Sequence, residues 1–374
     1  MPPELPLKVE LRQFARQIGL DLVGVTTSEP FDRFLAELEA RKEFYRERYQ
    51  HRLETWRRMA NPREVLHDAR SVVVIGFHYL PEEPARPHGC GKLGRIVAYG
   101  HLGILKRARE VCRFLKRRGY QAMMGAHRKE AAVRAGLGVI GKHNLVINPQ
   151  LGSWVAYQSI VTNADLEPDA PLAESDVCHN CQLCLQACPT GALYEPRRLD
   201  PGRCVTAMLT ARAIASEQRS KIGAYLLGCD ACQEACPRNR GVKAKPRMES
   251  LLPESFGMFP PLPLLLEMDE KRFQREVIGA LQKKIMGDNL AARILSWPGV
   301  RGSVTWFIKK FRRGREALPE TFVHASNNLN IYKRNAILAA GNLRVTALRE
   351  AVAACAAEPE LKPYADWSLE RMKP

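Results

Sequence analysis

Eight cysteines between Cys178 and Cys236 constrain this chain more than any other feature. Four lie in CHNCQLCLQACP, spaced C-x2-C-x2-C-x3-C-P. Three lie in CDACQEACP, which repeats the end of that pattern, and Cys204 stands between the two runs. Thiolates at this spacing, closed by a proline, are the ligand signature of bacterial-type 4Fe–4S clusters. Two sets of four ligands imply two clusters. In a two-cluster module the last cysteine of each run crosses to the other cluster. The expected partition is therefore Cys178, Cys181, Cys184 and Cys236 for one cluster, and Cys188, Cys204, Cys229 and Cys232 for the other. Zinc also uses C-x2-C pairs, but a zinc ribbon needs neither three cysteines in so short a run nor a Cys-Pro at its end. Disulfides suit secreted chains, and nothing in this sequence suggests secretion.

A chain of 374 residues is too long for a lone ferredoxin and predicts two or three domains. The N-terminus has no apolar leader and no stretch is long and apolar enough for a membrane span, so a cytoplasmic protein is expected. The net charge of +17 favours a polyanionic partner, with nucleic acid first among them. Basic clusters occur in RKEFYRERYQHR, LKRAREVCRFLKRRG and IKKFRRGR. A surface charged for solubility would give the same total.

Apolar periodicity predicts a helix over 8–19, ending at Gly19, then a strand over 20–27. A long charged helical region follows from Ser28, with a break expected between Tyr45 and Gln50. SVVVIG, residues 71–76, is apolar without alternation, as in a strand covered on both faces. Residues 82–95, rich in proline and glycine, predict a loop carrying Cys90. A helix is expected over 101–118, with Cys112 packed on it, and another from His127. The latter ends at Gly136 and Gly138, with Gly141 close behind, and strands follow at 145–147 and 154–161. Three such glycines serve either a cofactor or a helix C-cap and tight turn. After a proline-rich linker, the tail predicts three short amphipathic helices, with Cys355 in their core.

Taken together, LDLVGVT, ARSVVVIGFHYLP, RAGLGVIGKHNLVINPQLGSWV, the two cysteine runs, LDPGRC and RNAILAAGN resemble the epoxyqueuosine reductase family. The resemblance runs from about Lys8 to the end. It implies a fold of mixed α+β or α/β class in three parts: a cobalamin-binding-type α/β core over 1–169, a double 4Fe–4S ferredoxin-like module over 170–247, and a helical, HEAT-like region over 248–374. It also implies cobalamin, held near Gly136, Gly138, Gly141 and Lys142, and reduction of epoxyqueuosine to queuosine in tRNA. The implied partners are tRNA and an external low-potential donor such as flavodoxin or ferredoxin, with the chain acting as a monomer. The family's catalytic aspartate would fall on Ala122, and no acid lies between Gln121 and Lys129. Tyr99, His101, His127 and Lys129 are the local candidates for its role as proton donor. Two alternatives stay open: a corrinoid or iron–sulfur reductase of a small molecule, and an electron carrier without a corrinoid.

Overall fold

The computed structural model describes residues 6–173, 176–246, 248–250, 253, 256–286 and 328–373. The basic run IKKFRRGR, over 308–315, lies outside these residues. The region from Leu7 to Thr162 is built on a four-stranded sheet. Helix α1 (Leu7–Gln17) leads into β1 (Leu22–Thr27). Helices α2 (Asp32–Ala40) and α3 (Lys42–Ala60) follow, then β2 (Ser71–His78). Helix α4 (His101–Arg117), β3 (Ala122–Met124), α5 (Arg128–Arg134) and β4 (Val155–Thr162) complete it. The strand order is β1-β2-β4-β3 and every neighbouring pair is antiparallel. Of the two fold classes expected, α+β therefore describes this sheet.

The apolar run of β2 has the physical cause read from its sequence. All eight of its residues are buried. Because side chains alternate across a strand, Val73, Ile75 and Phe77 enter one core with Leu11, Ile104 and Val111. Val72 and Val74 enter the opposite core with Phe31, Ala131 and Tyr157. Helices α1 and α4 thus cover one face, and α2 and α5 the other. The charged helical region divides at Arg41, and α3 is kinked at Tyr49, where φ is −139° and ψ 25°.

A third core ties the rest of the chain together. It joins Leu93 and Val97 to Val205, Leu209 and Leu226 of the cysteine-bearing region. The tail enters it through Tyr332, Ile337 and Val352. The tail helices are α6 (Leu329–Leu343), α7 (Arg349–Cys355) and α8 (Lys362–Arg371), and Cys355 is buried among them. Arg334 and Asn335, from the RNAILAAGN motif, are also buried. Arg334 donates to the carbonyls of Leu209, Ala211 and Arg212, and Asn335 to those of Leu209 and Leu226. The polar residues of that motif fasten the tail to the cysteine-bearing region. Among the described residues no helix is long and apolar enough to cross a membrane.

Candidate iron–sulfur centre and adjoining cavity

The eight cysteines fall into two neighbourhoods. Burial and then the charges of Cys236, Cys178 and Cys181 push the Cys184 thiol up to about 11. Cys236 in turn feels Cys178 and Cys181. In the other neighbourhood burial drives Cys229 up to about 12, with Cys204 and Cys188 adding to it. Cys232 is raised by burial and by Cys229, Cys204 and Cys188. Cys184 also acts on Cys232, so the two quartets adjoin. A thiol raised this far gives up its proton only to a compensating positive charge, which iron supplies.

Backbone amides are already arranged around these sulfurs. The Ala192 N–H donates to Cys188 Sγ at 3.2 Å, and the Lys142 N–H to Cys178 Sγ at 3.4 Å. Asp230, between Cys229 and Cys232, is fully buried. It takes the Arg95 N–H at 3.0 Å and the Arg95 guanidinium at 3.2 Å. Burial raises its carboxyl to about 6. Arg95 also binds Glu83 and Glu234, which fixes the second cysteine run to the segment just before α4.

The loop after α5 makes the junction between the sheet and the cysteines. A Cβ on Gly136, which has φ +70°, would stand 2.3 Å from the Ala170 carbonyl oxygen; one on Gly138 would stand 2.6 Å from that of Ile147. A Cβ on Gly141 would meet the Ile147 side chain at 2.5 Å. The chain itself therefore occupies the space beside all three glycines. What the loop presents to the cysteines is Lys142 and His143. Lys142 Nζ donates to the His179 carbonyl, and the Lys142 carbonyl accepts from Arg197 N–H at 2.8 Å. His143 is buried, and burial together with the Lys129 charge lowers its imidazole to about 4.

Arg197 turns the hairpin of β5 (Leu193–Glu195) and β6 (Arg198–Leu199). This hairpin, the α2–α3 corner and the start of α5 enclose a cavity of about 480 Å³. Its walls carry Arg33, Arg41, Tyr45 and Trp56 opposite His127 and Lys129. Arg41 spans the corner, donating to Tyr45 Oη and to Tyr194 Oη, each at 2.8 Å. These residues left little sign in the sequence, because a charged helix with scattered aromatics reads as a solvated one. The signal lay in Tyr45 and Trp56, two large rings on an otherwise polar stretch.

The four proton-donor candidates divide. His127 and Lys129 face this cavity; Tyr99 and His101 are not part of its lining. His127 caps α5, its Nδ1 accepting from Glu130 N–H, and its ring stacks on Phe34 at 3.7 Å. Burial and then the Lys129 charge hold it well below the ordinary histidine value, so it is neutral near pH 7. Lys129 Nζ donates to the Asn144 carbonyl at 3.0 Å and to Asn144 Oδ1 at 2.8 Å. Burial lowers its ammonium to about 8, against a partial opposing pull from Glu130. Tyr99 lies in the helical turn before α4, raised by burial and by Glu83. His101 is lowered to about 4 by burial and by Arg128. Ala122 is buried in β3, paired with Thr162, and presents no acid.

Residues 177–239 match the 4Fe-4S double cluster binding domain, a span that contains all eight cysteines. The chain is 31% identical over 286 residues to the epoxyqueuosine reductase of Staphylococcus aureus, covering 72% of this chain and 73% of the relative. It is 29% identical over 351 residues to that of Lactococcus garvieae, covering 87% and 93%. Its structure is similar to a crystal structure of epoxyqueuosine reductase with an epoxyqueuosine-modified tRNA-Tyr stem loop, with a TM-score of 0.75. The identity there is 25%, over 98% of this chain and 90% of the other. On the extent of these matches, this chain belongs to the epoxyqueuosine reductase family.

Proposed function

We propose that this protein is an iron–sulfur oxidoreductase that reduces epoxyqueuosine to queuosine in tRNA. The observation that carries the reading is the position of Lys142. Its N–H meets a cluster-run sulfur and its carbonyl meets the hairpin that walls the cavity, so one residue joins the electron-carrying region to the reaction site. The first cluster would be held by Cys178, Cys181, Cys184 and Cys236, and the second by Cys188, Cys204, Cys229 and Cys232. In a four-iron cube each thiolate takes its own iron, and the two cysteine runs with Cys204 supply four thiolates for each of two cubes.

The cavity has the chemistry for a corrinoid. The aromatic rings of Tyr45 and Trp56 suit a flat macrocycle, and the cations Arg33, Arg41 and Arg197 suit the phosphate of its nucleotide tail. A bound corrinoid supplies a low-valent, nucleophilic cobalt for C–O reduction. Removing an epoxide oxygen takes two electrons and two protons and releases water. The electrons come from an external low-potential donor through the thiolate-held clusters. Lys129 is the residue suited to deliver a proton to the departing oxygen: two of its three N–H groups are held by Asn144, and its value near 8 keeps it mostly charged at pH 7. It would take the place of the acid that Ala122 lacks. The remaining cations and the overall charge of +17 suit the tRNA backbone.

The test uses oxygen-free protein with reconstituted clusters, added corrinoid, a low-potential reductant and epoxyqueuosine-bearing tRNA. Digestion and mass spectrometry are expected to find a nucleoside lighter by one oxygen. No conversion by fully loaded protein would overturn the reading. The absent acid at Ala122 favours one other reading, a reductase of a small molecule. Turnover of such a substrate with no tRNA affinity at low salt would establish it.

A further inference from the structure

His143 has no part in holding iron or in the proton step, yet it carries an unanswered hydrogen-bonding group. It is 4% exposed. Its Nδ1 accepts from the Leu145 N–H at 3.1 Å, which requires that Nδ1 be unprotonated. The ring hydrogen of the neutral imidazole therefore sits on Nε2, and Nε2 has no partner among the described residues. A buried donor left without an acceptor is costly, so such a group is expected to meet an acceptor in the functional molecule. His143 lines a cavity of about 340 Å³ together with Cys178, Cys181, Cys184 and Cys236. Its ring is also confined: a Cβ on Gly141 would come within 3.1 Å of His143 Cε1, so the glycine leaves the imidazole room to lie where it does.

From this geometry we propose that His143 donates its Nε2–H to a sulfur of the 4Fe–4S cluster held by Cys178, Cys181, Cys184 and Cys236, and so raises that cluster's reduction potential. The inference rests on the cluster assignment of the preceding subsection. Hydrogen bonds to cluster sulfurs are among the protein's means of setting the potential. Reduction adds an electron to the cube and makes its sulfurs better acceptors, so a donor stabilises the reduced state more than the oxidised one. The Lys142 N–H on Cys178 Sγ acts in the same direction on the same cluster. On the Cys188, Cys204, Cys229 and Cys232 quartet the side-chain donors are hydroxyls, that of Thr190 near Cys188 and that of Thr206 at Cys204. His143 is a tuning residue and touches no substrate.

The experiment is an EPR-monitored redox titration of the full-length, cluster-loaded protein, with His143→Phe and His143→Gln beside the wild type. Iron content is measured first; about eight irons per chain in the wild type upholds the cluster assignment independently of His143. In His143→Phe one of the two cluster potentials is expected to move downward while the other stays. In His143→Gln, which keeps a donor, the shift should be smaller. Pulsed EPR of the reduced wild type labelled with ¹⁵N-histidine supplies a readout that needs no variant to fold. A histidine nitrogen should couple to one cluster, and the coupling should vanish in His143→Gln and survive in His179→Gln. Unchanged potentials in an iron-replete His143→Phe protein would overturn the proposal, as would a labelled wild type with no histidine coupling.

Discussion

The cysteine quartets and the neighbouring cavity lie on either side of Lys142 and obey different rules. In the first region the chemistry is fixed by which atoms are present and how far apart they lie along the chain. In the second it depends on how far each group is removed from water. Cys184 and Lys129 illustrate the contrast. Both are shifted by burial, the thiol up to about 11 and the ammonium down to about 8. The thiol's shift is reversed when iron binds, whereas the ammonium's shift is what suits Lys129 to the role of proton donor proposed for it. Substitution should therefore act in an all-or-none manner on one side of Lys142 and in a graded manner on the other.

The largest effect is expected at Cys204. Cys204→Ser should remove one cluster, so that iron falls from about eight to about four per chain, with most of the other cluster's EPR signal retained. An unchanged iron content would break the assignment of that quartet and, with it, the all-or-none side of the contrast.

Lys129 comes next. Lys129→Met should lower kcat by about 10²-fold with iron content and cluster signals unchanged. The sign of the pH dependence follows from the direction of its shift. The protonated form is the proton donor and dominates below about 8, so the wild-type rate should hold at neutral pH and fall as pH rises through that value. That alkaline limb should be absent in Lys129→Met. The same limb in both proteins would assign the proton donor elsewhere. His127, neutral near pH 7, would then be the other cavity-facing group to substitute.

The contrast also explains what was legible in the sequence. The cysteine spacing is a local property, and the double-cluster match spans the same residues. The burial of β2 was equally legible, because a strand covered on both faces has no reason to alternate. The kink at Tyr49 falls inside the window that the sequence suggested. The cavity was not legible, since Arg41 and Tyr45 meet Tyr194 only through the fold, across some 150 positions of chain. Nor was the state of Lys129, whose neighbours Asn144 and Glu130 matter through desolvation and distance. The glycines were readable in two ways, as a cofactor contact or as a C-cap and tight turn, and the carbonyls of Ala170 and Ile147 pack against Gly136 and Gly138.

The RNAILAAGN motif sharpens the comparison by separating buried cations from available ones. Arg334 is 2% exposed and donates to three carbonyls of the cysteine-bearing region. Arg334→Leu should destabilise the protein by about 3 kcal/mol, since it strands buried acceptors. A denaturant titration measures this. The salt dependence of tRNA binding by the protein that remains folded should be unchanged.

Arg198 is the converse case and should give the smallest effect. Its side chain is 45% exposed at the cavity wall, with an ion pair to Glu195 three residues away. An exposed pair of this kind contributes at most about 1 kcal/mol, so Arg198→Ala should leave stability nearly unchanged. If its guanidinium meets a tRNA phosphate, removing it lowers by about one the number of counterions released on binding. The slope of log affinity against log salt should become shallower by about 0.7–0.9. Arg334→Leu and Arg198→Ala then form a crossed pair, one moving stability alone and the other the salt slope alone. A slope unaltered by Arg198→Ala would place the tRNA backbone away from the β5–β6 hairpin, and the cavity would have to be entered from the α2–α3 side.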